Sequence, residues 1–113
     1  AGVQFRVQFK NQSGKAIKYV EFTVAARNRV GDIAVDEVRH RTEAGLEFTG
    51  PLEHGGVAGR PFPIRWDNVW YNPTISCATI RKVKVIYFEG ESSEFVGDAV
   101  NSLLSGPSCG TYN

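Results

Sequence analysis

The sequence predicts an all-β protein: an antiparallel sandwich of short strands with one short helix near the C-terminus. Three observations carry this reading. Val3, Phe5, Val7 and Phe9 alternate without error with Gln4, Arg6, Gln8 and Lys10, a period of two that only a strand with one buried and one wet face requires. Turn residues recur between the apolar runs, the spacing expected of a sandwich. No helical crossover separates the strands, which argues against a parallel α/β fold. A small closed barrel is the second architecture that fits.

The elements follow in order. The first strand covers Val3 to Lys10, and Asn11-Gln12-Ser13-Gly14 supplies turn chemistry after it. A second strand runs from about Ala16 to Asn28, with Val20, Phe22, Val24 and Ala26 inward, and is expected to pair with the first as a hairpin. Asn28 to Asp32 reads as a turn in which Gly31 can take positive φ. Ile33 to Arg39 is a third strand, and Leu46 to Thr49 a fourth, stopped by Gly50-Pro51. Glu53 to Gly59 reads as a flexible loop. Pro61 and Pro63 cannot donate to a ladder, so Arg60 to Trp70 suits a sheet edge. Thr74 to Glu89 is the longest strand, with a bulge expected near Arg81-Lys82, and Glu89 to Ser93 is a loop. Asp98 can cap one or two helical turns carrying Val100, Leu103 and Leu104, which Gly106-Pro107 ends.

A chain of 113 residues is one domain, spanning residues 1–113, and long enough to fold without a metal or dense disulfides. Hydrophobic and charged fractions of 42% and 22% are those of a globular domain, not a disordered one. The net charge of +1 hides an asymmetry, because no Lys or Arg follows Lys84 while Glu89, Glu91, Glu94 and Asp98 do. The basic residues are dispersed along the chain, unlike the dense stripe of a nucleic-acid binder, so no nucleic-acid partner is expected. The longest wholly apolar run, Val85 to Phe88, is far short of a membrane span, and no membrane insertion is expected. The chain contains no methionine and shows no signal peptide, which fits a leader already removed.

Cys77 and Cys109 fit one disulfide that pins the Gly/Pro/Ser-rich tail to the strand carrying Cys77. Two free thiols are the alternative. An oxidised pair implies a periplasmic or secreted location.

The candidate site is aromatic. Trp66, Trp70 and Tyr71 fall within six residues, followed by Asn72. In an extended segment both tryptophans point the same way and Tyr71 the other. Such faces stack on sugar rings or anchor a protein partner; equally, one tryptophan plugs the core and the other covers an edge. Asp67, Asn68 and Asn72 are polar groups able to orient a ligand or form turns.

Other patterns carry less. Gly106-Pro107-Ser108-Cys109-Gly110 matches a nucleophile elbow, but no histidine follows it. His40 lies four residues after Asp36, yet zinc needs three or four closely spaced ligands, so no metal and no cofactor is expected. The Gly55 to Arg60 loop lacks the Lys-Ser/Thr of a P-loop. Glu89, Glu91 and Glu94 read as a solvated patch rather than a glycosidase pair. Asn11-Gln12-Ser13 is a valid glycosylation sequon, whereas Pro73 disqualifies Asn72-Pro73-Thr74.

The stretches FKNQSGKAIKYVEFTVAARNRVGD, TGP at Thr49–Pro51 and WDNVWYNPTISCATIRKVKVIYFEG together resemble the small immunoglobulin-like or fibronectin-III-like accessory domains of bacterial exported proteins. The order of residues departs from antibody domains, since both cysteines follow the tryptophans. The resemblance implies an immunoglobulin-like sandwich and an envelope location, and it brings no catalytic residues. The expected function is non-catalytic: protein–protein recognition at or outside the cell envelope, including neutralisation of an enzyme or toxin. The alternatives are a structural or assembly domain, or a carbohydrate-binding module using exposed aromatics. In the recognition reading Trp66, Trp70, Tyr71 and Asn72 form the contact surface.

Overall fold

The computed structural model describes residues 2–101. Leu103, Leu104, the Gly106-Pro107 stop and Cys109 lie outside the described residues. Within them the chain is mostly strand, and every strand pairing is antiparallel.

The strands are β1 (Val3–Val7), β2 (Phe9–Lys10), β3 (Ile17–Asn28), β4 (Ile33–Ala34), β5 (Ala44–Leu52), β6 (Val57–Ala58), β7 (Ile64–Trp70), β8 (Ile75–Tyr87) and β9 (Ser92–Val96), followed by one helical turn, α1 (Asp98–Asn101). β3 is the centre of the larger sheet. One of its edges carries β8 along its whole length, and β9 lies beyond β8. Its other edge carries β5 over Ile17 to Val24 and then β4 over Ala26 to Arg27.

The first strand does not form a hairpin with the second. β1 pairs with β7 instead, through Phe5↔Trp66, Arg6↔Arg65 and Val7↔Ile64, and β2 pairs with β6. Asn11 decides this. Its backbone N–H donates to the Gly56 carbonyl at 2.9 Å and its own carbonyl accepts from the Gly55 N–H at 2.8 Å, so the ladder continues with residues 55–58. Its side chain, 1% exposed, donates to the Lys15 and Leu52 carbonyls at 2.8 and 2.9 Å. Asn11 is therefore a buried staple that steers the chain from one ribbon into β3, not a surface turn residue. The Glu53 to Gly59 segment, expected to be a loop throughout, contains β6 for the same reason.

Three strand boundaries also shift. The third strand stops at Ala34 rather than Arg39, because the Asp36 carboxylate takes the Val38 and Arg39 N–H groups and folds the chain into a turn. The fourth runs on through Gly50-Pro51 to Leu52. Two residues of β3, Ile17 and Tyr19, span three steps of β5 there, so a bulge accommodates the missing proline donor. The turn before β9 is shorter than expected and ends at Glu91, with Gly90 at φ 91°. The expected bulge in β8 is present: Thr23 and Val24 face Lys82 and Ile80, which leaves Arg81 as the extra residue.

The core lies where the β1–β7 ribbon covers the larger sheet. Phe5 and the inner face of β3 (Val20, Phe22, Val24, Ala26) are buried, as their alternation requires. Aromatic rings form the seam between the two: Phe5 to Trp66 at 6.1 Å, Trp66 to Phe22 at 5.9 Å, Phe22 to Phe9 at 5.6 Å and Phe9 to Phe48 at 5.1 Å. Each such pair adds about 0.5–1.5 kcal/mol beyond the area it buries.

Candidate functional site

The aromatic cluster divides on folding. Trp70 is 0% exposed and meets Phe5 edge-on at 6.4 Å, so its ring is a core plug and cannot form part of a contact surface. Trp66 is half-buried in the aromatic seam. Both tryptophans still face inward, although four steps of β7 (Trp66 to Trp70) oppose only two steps of β1 (Phe5 to Val3); Asn68, at φ 54°, absorbs the excess. Neither tryptophan is left outside.

Tyr71 and Asn72 remain at the surface, half-buried, and both brace the loop that precedes β5. The Tyr71 ring lies 5.5 Å from the Arg39 guanidinium carbon, a cation–π contact. The Asn72 side-chain amide donates to the Val35 carbonyl at 2.9 Å. Its Oδ1 accepts from the Thr74 N–H and hydroxyl at 2.9 and 2.7 Å, a turn formed by the asparagine itself.

At the centre of this loop end sits Asp36, which is fully buried. Its Oδ1 accepts from the N–H groups of Val38 at 3.0 Å, Tyr71 at 3.3 Å and Arg39 at 3.4 Å. Its Oδ2 takes the Arg39 Nη1 at 2.8 Å, with the Arg41 Nε at 3.6 Å. Burial pushes this carboxyl up, but the Arg39 hydrogen bond and the Val38, Arg39 and Tyr71 amides outweigh it and hold the pKa at about 2. Both arginines reach on to the Val69 carbonyl at the end of β7, Arg39 at 3.3 Å and Arg41 at 3.2 Å. The Glu37 N–H adds a bond to the Tyr71 carbonyl at 2.9 Å. The loop is thus clamped to β7 by charge-assisted bonds, the stronger class of protein hydrogen bond.

Sequence reasoning set Asp36 beside His40 as a possible metal pair and missed this clamp. His40 contributes only its backbone N–H, to the Asp36 carbonyl at 2.7 Å, with its own φ at 55°. The overlooked signal was Asp36-x-x-Arg39-x-Arg41, an acid followed closely by two cations. No cluster of three or more metal-binding side chains occurs among the described residues.

The surface around the clamp is apolar. Val30, Val35 and Val38 are 78%, 41% and 62% exposed. All three border the Tyr71–Ser76 segment. Val38 is next to Tyr71 through Asp36, and Asn72 holds Val35. Val30 and Arg29 face Pro73 and Thr74 across an open groove of about 460 Å³.

The remaining candidates are occupied elsewhere. Glu91 pairs with Lys15 at 2.6 Å, which raises the lysine pKa, and Glu94 pairs with Lys82 at 3.5 Å. The two acids are therefore held to separate cations rather than to each other. His54 Nδ1 is in hydrogen-bond contact with the Ser13 carbonyl. Cys77 is not a free thiol; its expected partner Cys109 is outside the described residues.

No family model, curated protein or solved structure matches this chain.

Proposed function

We propose that this chain is a non-catalytic protein-recognition domain and that the Asp36-braced loop end is its contact surface. The observation that carries the reading is the exposure of Val35 and Val38 on the loop that the buried carboxylate bonds, with Val30 exposed beside it across the groove from Pro73 and Thr74. Apolar groups fixed in place before contact lose little entropy on binding, which is where recognition loops gain affinity. Tyr71 and Asn72 keep their place in the site as its floor, while Trp66 and Trp70 serve it from the core. The glycan reading is the weaker, since it relied on tryptophan faces that the fold covers.

The architecture that best accounts for these pairings is an immunoglobulin-like sandwich, with the β1–β7 and β2–β6 ribbons as one layer and the β3-centred sheet as the other. That layout places recognition loops at the ends of the strands, and in this reading residues 28–32, 35–43 and 71–76 are such loops. The same reading takes Cys77 and Cys109 as a disulfide and sets the protein in the periplasm or outside the cell. An enzyme or toxin is the partner class proposed.

The test is capture of partners from the native envelope fraction with wild type and with Val38→Glu and Val30→Glu. A partner retained by wild type and by Glu47→Lys, but lost with both valine variants, supports the surface. Equal retention by all four proteins refutes it.

A further inference from the structure

A second surface lies on the ribbon, away from the loop end. On its outer face Arg6 of β1 and Arg65 of β7 are directly opposite each other, and both are exposed. Like charges in that position repel and destabilise a strand pair. The structure keeps them together and orients them. Arg6 Nε donates to Gln4 Oε1 at 3.1 Å, and Arg65 Nε pairs with Asp67 Oδ1 at 3.2 Å. Among the described residues neither arginine's Nη groups meet an acceptor.

The surroundings are also basic. Residues 3–10 and 57–70 carry Arg6, Lys10, Arg60 and Arg65 against the single carboxylate of Asp67. The whole chain is only +1, so the rest of it is net acidic. The ribbon is narrow, too. β1 pairs only with β7, so its other edge carries no strand among the described residues. That edge presents unpaired backbone donors and acceptors, and along it Gln4, Arg6, Gln8 and Lys10 all face out.

We infer that the free edge of β1–β2 is a docking site for an extended acidic segment of another protein. The segment adds as a strand beside β1. Main-chain hydrogen bonds supply affinity, and its alternate residues supply specificity. Carboxylates at every second position lie next to Arg6 and Lys10, and they offset the repulsion between Arg6 and Arg65. Apolar residues between them extend the inward-facing row of Val3, Phe5, Val7 and Phe9. This site is separate from the valine-bearing loop end, and either can fail without the other.

The experiment uses a fluorescein-labelled peptide of alternating valine and glutamate, about eight residues long to match Val3 to Lys10. Fluorescence anisotropy with wild-type protein should show saturable binding that weakens as salt rises from about 0.05 to about 0.5 M. Arg6→Glu should weaken it by about tenfold or more, and should acquire binding to the corresponding valine–lysine peptide. Amide exchange should slow at residues 3–10 when the peptide is bound and stay unchanged at Ser92–Val96 on β9. Circular dichroism confirms that each variant is folded; if Arg6→Glu is not, Arg6→Gln with Lys10→Gln replaces it. Absence of peptide binding overturns the proposal. So does binding indifferent to these substitutions, or protection at β9 instead of β1. Sedimentation with phosphatidylglycerol vesicles, in the absence of any peptide binding, would reassign the face to an anionic membrane surface.

Discussion

Replacing Trp70 with alanine tests the division of the aromatic cluster. The indole is 0% exposed and lies edge-on to Phe5. A buried tryptophan removes roughly 150–250 Å² from water, which at about 25 cal/mol per Å² amounts to ~4–6 kcal/mol. Its Nε1–H is buried with no acceptor, so deletion also relieves a penalty of about 1–3 kcal/mol. Those two figures leave about 1–5 kcal/mol; the cavity that the partly relaxed core keeps beside Phe5 adds to it, so the net cost should lie in the upper part of that range, about 3–5 kcal/mol. That is a large share of the ~5–15 kcal/mol expected for a domain of this size. Urea unfolding measures it: with a slope of about 2 kcal/mol per M, the midpoint should fall by roughly 2 M. Trp70→Phe keeps a ring against Phe5 and removes the orphaned donor, so it should cost about 1–2 kcal/mol. Trp66→Ala, at a half-buried site, should cost less than Trp70→Ala. A Trp70→Ala loss below about 1 kcal/mol, or a larger loss for Trp66→Ala, would refute the placement of Trp70 as the plug.

Three further outcomes follow from the structure. Asp36 titrates at about 2 in the folded protein, below its ordinary 3.8; its contribution is therefore full above pH 4 and is lost as the pH falls from about 4 through 2. Asp36→Asn should lower stability at neutral pH and flatten the acid limb of a stability–pH curve, and an unchanged acid limb would show that the clamp does not govern it. Asn11→Ala strands the Leu52 and Lys15 carbonyls that its side chain serves and should cost about 1–3 kcal/mol by thermal or urea unfolding; a neutral result would remove Asn11 as the staple. If Cys77 and Cys109 are bridged, native protein should resist alkylation until reduced, and reduction should cost about 3–4 kcal/mol. Two thiols labelled without reductant would end that pairing.

The parts of the fold legible in the sequence are those set by side-chain period. The inner faces of Val3–Lys10 and Ala16–Asn28 are where alternation places them, and the bulge near Arg81 sits where the pattern breaks. Pairing was illegible, because a period gives the face of a strand and not its neighbour. Asn11 resembles any turn asparagine until Leu52 and Gly56 come round to meet it. The candidate site was half legible for a related reason. Composition showed an aromatic investment at Trp66–Tyr71, but which rings stay outside depends on Asn68 and on partners some sixty residues away in β1. The Asp36 clamp was hidden differently: its three elements, residues 36–41, Val69 and Tyr71, are distant in sequence, and only the acid–cation spacing hinted at them.

The staple at Asn11 also sets a contest between folding and modification. Its three letters, Asn11-Gln12-Ser13, spell an acceptor for an N-linked glycan. Yet the amide nitrogen that would carry the sugar is the one that donates to Lys15 and Leu52, and the serine hydroxyl is turned onto Asn11 Oδ1 at 2.6 Å. A glycan attached to the nascent chain would hold the ribbon and β3 apart, while a chain that folds first hides the acceptor. In a host that glycosylates during translocation, a sugar on Asn11 would therefore compete with the native contacts of its side chain.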